Sequence, residues 1–170
     1  MTILSNPFDL TDAYESPRDY LEDELVRLDV AIEFEMERMH ESMAWEDSRI
    51  DPSDRGMYMT PGEAKAIISL DWKEAERNPD RETLLGELGL RIRARLNKTR
   101  ETGIRLPVFA LQDAFRLSET EIRVLIAALA PHLHRKYLKL YAYLHDDLTR
   151  QHVTLDLILR LCCSSPDERA

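Results

Sequence analysis

The stretch PVFALQDAFRLSETEIRVLIAALAPHL, Pro107–Leu133, decides how this chain folds. It opens on a proline, whose fixed φ and missing N–H suit the first turn of a helix. That helix runs to Phe115, and Arg116-Leu117 makes a tight link. Ser118-Glu119-Thr120-Glu121 then has capping-box spacing, in which the Ser hydroxyl and the Glu carboxylate each satisfy a free backbone amide. Ile122, Leu125, Ile126, Leu129 and Leu133 recur at helical steps and predict the buried face of a second helix, with Pro131 disturbing its end. Helix, tight turn and capped helix read as a helix-turn-helix, a form whose second helix can enter a DNA major groove. Here that helix opens on Glu119 and Glu121 and carries one base, Arg123, so contact with phosphate is disfavoured.

Downstream, His134 to about Leu148 predicts a further helix, with Tyr137, Leu140, Tyr141 and Leu144 on one side. Thr154 or a neighbour caps a last helix, where Leu155, Ile158, Leu159 and Cys162 hold core spacing. Between them lie Asp146 and Asp147, followed by Thr149-Arg150. Consecutive helical residues point about 100° apart, so two adjacent acids do not face each other across a substrate. The pair reads as a corner fixed by capping and by Arg150, not as catalytic carboxylates. Arg150 to Val153 has room for one short strand at most.

Upstream, Ser16-Pro17 opens a long helix after an irregular arm. Leu21, Leu25, Leu28, Ile32, Met36, Met39 and Met43 draw its apolar stripe, and Glu22, Asp23, Glu24, Asp29, Glu33, Glu35, Glu37 and Glu41 crowd its other faces. Residues 49–59 read as a loop. Thr60 and Glu63 form a second capping-box spacing ahead of a short helix through Trp72. Another helix starts near Asp80, with Leu84, Leu85, Leu88, Ile92 and Leu96 inward and Arg91, Arg93, Arg95, Lys98 and Arg100 outward, and Gly103 closes it. The fold expected is mainly α: a helical bundle with a helix-turn-helix or winged-helix-like C-terminal part and a long N-terminal helix. Its divisions are an arm and acidic helix over 1–48, a helical domain over 49–163 and a polar tail over 164–170.

The net charge of −9 is uneven. Met1–Gly89 hold 9 basic and 23 acidic residues, and Leu90–His152 hold 12 basic and 6 acidic. The long acidic helix is therefore expected to dock on the bases around Arg91–Arg100 and Arg135–Lys139 of its own chain, leaving its Met-rich distal end for a partner. No run of about 18 apolar residues occurs, so no membrane span is expected. Adjacent Cys162 and Cys163 form no disulfide framework, which suits a reducing cytoplasm. None of the five glycines precedes Lys-Ser or Lys-Thr, so no phosphate-binding loop exists here, and no G-x-S-x-G elbow is present. His132 and His134 with the two cysteines lack the spacing of a zinc site.

Several phrases of this sequence resemble a known family. KYLKLYAYLHDDLTR (Lys136–Arg150) is the most specific, joined by FRLSETE (Phe115–Glu121) running into Leu129-Ala130-Pro131, VTLDLIL (Val153–Leu159) and RGMYM (Arg55–Met59). Together they are similar to the N-terminal, variant winged-helix-like region of bacterial and archaeal AAA-type ATPases, of the kind that accompany contractile injection systems. His132 and His134 stand where that family carries acids, and Val153 where it carries proline. The resemblance implies a non-catalytic interaction domain that makes partner, substrate or subunit contacts. It places ATP and Mg in an ATPase module outside these residues and implies a ring oligomer for the parent. Met36, Met39, Met43, Arg135, Asp146, Asp147 and Arg150 are the expected partner-binding residues, with no catalytic, cofactor or metal residue in this chain. The alternative is a helix-turn-helix DNA-binding regulator.

Overall fold

A computed structural model describes residues 12–47 and 79–163, with side chains over 12–39 and 81–163. The expected capping box at Thr60–Glu63, the Arg55–Met59 phrase, the polar tail and the Met43 side chain lie outside these described residues. Six helices are present among them, and no strand: α1 (Pro17–Asp47), α2 (Pro79–Glu101), α3 (Pro107–Phe115), α4 (Glu119–Leu133), α5 (Lys136–Leu144) and α6 (Leu155–Cys162). The region after α4 is thus helix, corner and helix, and the short strand allowed for at Arg150–Val153 does not form.

The long helix begins where the sequence puts it. Ser16 Oγ accepts from the Asp19 amide at 3.3 Å, and the Ser16 amide donates to Asp19 Oδ2 at 3.0 Å, a reciprocal cap with Pro17 just inside. The 31 residues of α1 make a rod of about 46 Å. It is the spine of the bundle, touching α2, α4, α5 and α6, while α4 also packs on α5 and α6. Tyr20, Leu25, Leu28, Ala31 and Ile32 of α1 join Ile92, Val108, Ile122, Ile126, Ala127, Tyr137, Tyr141, Leu144, Leu157 and Leu161 in one core.

Charge seats the spine as the sequence suggests. Asp23 pairs with Arg95 at 2.6 Å, and Asp29 takes Lys136 at 2.6 Å and the Tyr137 hydroxyl at 2.9 Å. Two acids assigned to the solvent faces of α1 are nevertheless buried, Glu24 and Glu35, each 4% exposed. Both are tolerated there because cations and hydroxyls replace the lost water. The Arg38 Nε and Arg160 Nη1 groups donate to Glu35 at 3.0 and 2.5 Å, so the second ties α1 to α6. Glu24 accepts from the Tyr20 hydroxyl at 3.0 Å and from Arg27.

The arm before α1 is anchored at its described end. Tyr14 is fully buried. Its amide donates to Thr99 Oγ1 at 2.8 Å and its hydroxyl to Asp23 Oδ2 at 2.9 Å. The Arg95 guanidinium lies 4.0 Å from its ring centroid. Past α2, Gly103 takes φ +78°, the left-handed turn expected of a helix-closing glycine.

Candidate interaction surface

The helix-turn-helix forms as read, from α3 through a three-residue link to α4. Arg116 adopts φ 54°, ψ 39° and turns the chain. Ser118 then caps α4 in a complete capping box, with its Oγ 3.3 Å from the Glu121 amide and its own amide 2.7 Å from Glu121 Oε2. The hydrogen bonds from Ser118 hold the Glu121 carboxyl below its ordinary range. Glu119 is gripped by Arg93 of α2 through two bonds of 2.6 Å, which hold its carboxyl down as well. The end of α4 that would enter a DNA groove is therefore anionic, and the nearest cation on α2 is already engaged.

The faces of α4 meet the expectation in part. Ile122, Ile126, Ala127, Ala130 and Pro131 are buried. Leu125 is half-buried, and Leu129 and Leu133, expected in the core, are 41% and 42% exposed. At 100° per residue, Leu125 and Leu129 lie toward Ala128 and His132 and away from Ala127 and Pro131, while Leu133, the last residue of the helix, falls in line with Ile122 and Ile126. With exposed Ala128 and His132, Leu125 and Leu129 make an outward strip that starts from Glu121. The sequence held the clue: apolar residues occur nearly all round α4, which a helix packed on one side does not need.

The corner after α5 explains the acidic pair. The Asp146 amide donates to the Tyr143 carbonyl and the Asp147 amide to the Ala142 carbonyl, both at 3.0 Å, with Asp146 at φ 49°. This is a Schellman closure with an aspartate in the left-handed position. Asp147 Oδ1 then accepts from the Thr149 amide at 2.8 Å and hydroxyl at 2.6 Å, bonds that lower its pKa, and Arg150 pairs with its other oxygen at 3.2 Å. His145 Nε2 lies 3.1 Å from the His152 carbonyl, and the His152 ring stacks by that of His132, 6.3 Å between centroids. The corner is built from local bonds and leans on the end of α4.

The expected partner-binding residues do not form one cluster. Asp146, Asp147 and Arg150 share the corner. Arg135 sits at the other end of α5, nine helical residues or about 13 Å away. Met36 and Met39 are on α1, partly buried against the core. Among the described residues no group of three or more metal-ligating side chains converges. Cys162 and Cys163 are buried, and burial pushes the Cys162 thiol up to about 11, so it packs as a small apolar group. A cavity of about 30 Å³ lies among Glu24, Arg27, Leu85, Arg123 and Cys162, room for about one water. No helix of the described residues is long and apolar enough to cross a membrane.

The chain matches the family described as winged helix domain, variant, over residues 5–170. No curated protein and no solved structure matches it. The match spans nearly the whole chain and takes in both the capped helix-turn-helix and the acidic corner. This chain therefore belongs to the variant winged helix domain family.

Proposed function

We propose that this domain is a non-catalytic interaction module of an AAA-type ATPase, making protein contacts through the outward face of α4. The observation that carries this reading is the chemistry of that helix. A groove-reading helix needs bases and polar groups on its exposed side. Here that side offers Leu125, Ala128, Leu129 and Leu133 behind an acidic cap. Exposed apolar residues gathered on one helix face suit a protein surface better than phosphate.

The link to an ATPase rests on the LYAYLHDDLTR phrase and its companions, and with it come a ring-forming parent, ATP and Mg in a separate module, and the context of a contractile injection system. Reduced, buried cysteines accord with a cytoplasmic setting. The runner-up, a DNA-binding regulator, draws on the helix-turn-helix alone.

Two measurements test the proposal. Coding sequence adjoining this chain is expected to carry a Walker A motif. In a fluorescence titration against mixed-sequence duplex at about 50 mM salt, the chain is expected to bind no better than an acidic control, where phosphate contacts would be strongest. Tight duplex binding that collapses as salt rises would overturn the reading in favour of the regulator.

A further inference from the structure

We infer that α2 is a detachable flap on the spine and that the arm before α1 is its latch, with Tyr14 as the catch. Three observations carry this. First, among the described residues α2 packs broadly on α1 alone, whereas α4 packs on α1, α5 and α6. The ties of α2 to other helices include Arg93 on Glu119 of α4, an exposed pair of a kind that contributes little. They also include Arg81 on the Arg160 carbonyl at 2.6 Å and the Arg100 guanidinium 4.6 Å from the Phe109 ring centroid. Second, α2 carries Gly86 and Gly89 in its interior, and a Cβ at either would meet nothing within 4 Å. Packing among the described residues does not require these glycines, and each weakens the helix relative to alanine.

The third observation is the catch itself. Tyr14 is fully buried at the seam of α1 and α2. On the α1 side its hydroxyl donates to Asp23 at 2.9 Å, and its ring stands edge-on to that of Tyr20. On the α2 side Thr99, also fully buried, accepts the Tyr14 amide at 2.8 Å and donates to the Arg95 carbonyl at 2.7 Å. Arg95 holds the arm twice, through the Asp12 carbonyl at 3.0 Å and over the Tyr14 ring, while pairing with Asp23 at 2.6 Å. The arm thus grips both helices at the C-terminal half of α2. Withdrawing Tyr14 takes the donor from Thr99 Oγ1 and opens the Arg95–Asp23 pair to water. Helices in proteins owe most of their stability to packing, and α2 with its two glycines has little of its own, so it melts as it leaves the spine. Whatever draws the arm away therefore frees the face of α1 that α2 covers.

The test is native-state hydrogen exchange on the full 170-residue chain. The amides of Leu85, Ile92 and Leu96 in α2 are expected to exchange as one group, at least about tenfold faster than those of Ile126 and Ala127 in α4. Gly86→Ala and Gly89→Ala each slow that group about two- to fivefold, because each makes the melted helix less favoured. Tyr14→Ala speeds the group about a hundredfold, Leu85 included, although Leu85 lies 14 positions before Thr99. Should Tyr14→Ala fail to fold, Tyr14→Phe keeps the ring, loses only the bond to Asp23 and speeds the same group about fivefold. Exchange of α2 and α4 at one rate overturns the inference, as does a Tyr14 effect confined to the turn around Thr99, or alanine substitutions that leave α2 unchanged. The outcome does not depend on what α4 contacts, so the duplex titration and the exchange experiment fail separately.

Discussion

Glu24 and Glu35 lie on one helix, eleven residues apart, each 4% exposed, yet removing their charges should have unequal consequences. Burial pushes the Glu24 carboxyl above its ordinary range, and Arg27 with Tyr20 offsets that only in part. Burial acts on Glu35 in the same direction, but hydrogen bonds and charge from Arg38 and Arg160 outweigh it, and its carboxyl is held below the ordinary range. Glu35→Gln keeps the shape while leaving two guanidinium groups short of an anion. Breaking a buried pair costs about 3–5 kcal/mol. Arg38 is 37% exposed and Arg160 keeps Asp156 at 2.6 Å, so about 2–3 kcal/mol is the reasoned loss here. Glu24→Gln removes a charge that burial already disfavours and should change stability by less than about 1 kcal/mol. Urea unfolding followed by circular dichroism measures both. The pH dependence fixes the sign. Glu35, with a depressed folded pKa, stabilises above the ordinary carboxylate pKa, and that contribution fades as pH falls through its folded value, so the gap between wild type and Glu35→Gln closes in acid. Glu24, with a raised folded pKa, does the reverse: wild type gains on Glu24→Gln as pH falls from the folded value to the ordinary one. Equal losses for the two variants at pH 7, or a Glu35→Gln gap that widens in acid, would refute this account of the spine.

The corner and the core offer further checks. Asp146→Gly should stabilise the domain by about 0.5–1 kcal/mol in urea unfolding, because glycine takes φ 49° without the penalty an L side chain meets there. A loss would mean that the Asp146 side chain does more than turn the chain. Leu144→Ala, at a 3% exposed position, should cost about 2–5 kcal/mol, and Leu140→Ala, only partly buried, distinctly less; equal costs would misplace the inward side of α5. Deleting residues 1–48 removes the spine, so the 49–170 fragment should melt well below the full chain and bind an apolar dye. A fragment with an unchanged melting temperature would make α1 an independent arm. Calorimetric titration with Mg-ATP should give no heat of binding, and micromolar affinity would overturn the reading of this chain as lacking a nucleotide site.

Most of the helical order was legible because its signals are local. Ser16-Pro17, Ser118 with Glu121, Pro107 and Gly103 each satisfy or close a helix end by themselves, and each stands where the sequence put it. The seating of the acidic helix on Arg95 and Lys136 was legible too, since charge blocks of opposite sign leave few other arrangements. What escaped depends on contacts distant in sequence. Tyr14 reads as part of a loose arm until Thr99, 85 residues on, accepts its amide. Glu35 looks like one more surface acid until Arg160, 125 residues away, reaches it. Ile122 and Ile126 of the expected stripe are buried, but Leu129 and Leu133, which fit it by spacing, are 41% and 42% exposed, an outcome that depends on how far the neighbouring helices reach along α4.

On the proposed reading, the outward side of α4 separates this domain from a DNA reader with the same order of helices. A helix-turn-helix buries one side of its second helix and offers the other to a ligand, so the ligand is written in whatever is left outside. In this chain the capping box uses an acid, Glu121, and the grip of α2 on α4 uses Glu119 with Arg93. Stability at the start of α4 is thus obtained with the charge that phosphate rejects. Farther along, where α5 must turn back against α4, the chain places His132 beside His152 and closes α5 with Asp146 and Asp147. With the acid end unsuited to phosphate, the exposed apolar residues of α4 are Ala128, Leu129 and Leu133, with Leu125 half-buried beside them. On the proposed reading, such a surface gains by leaving water against another protein.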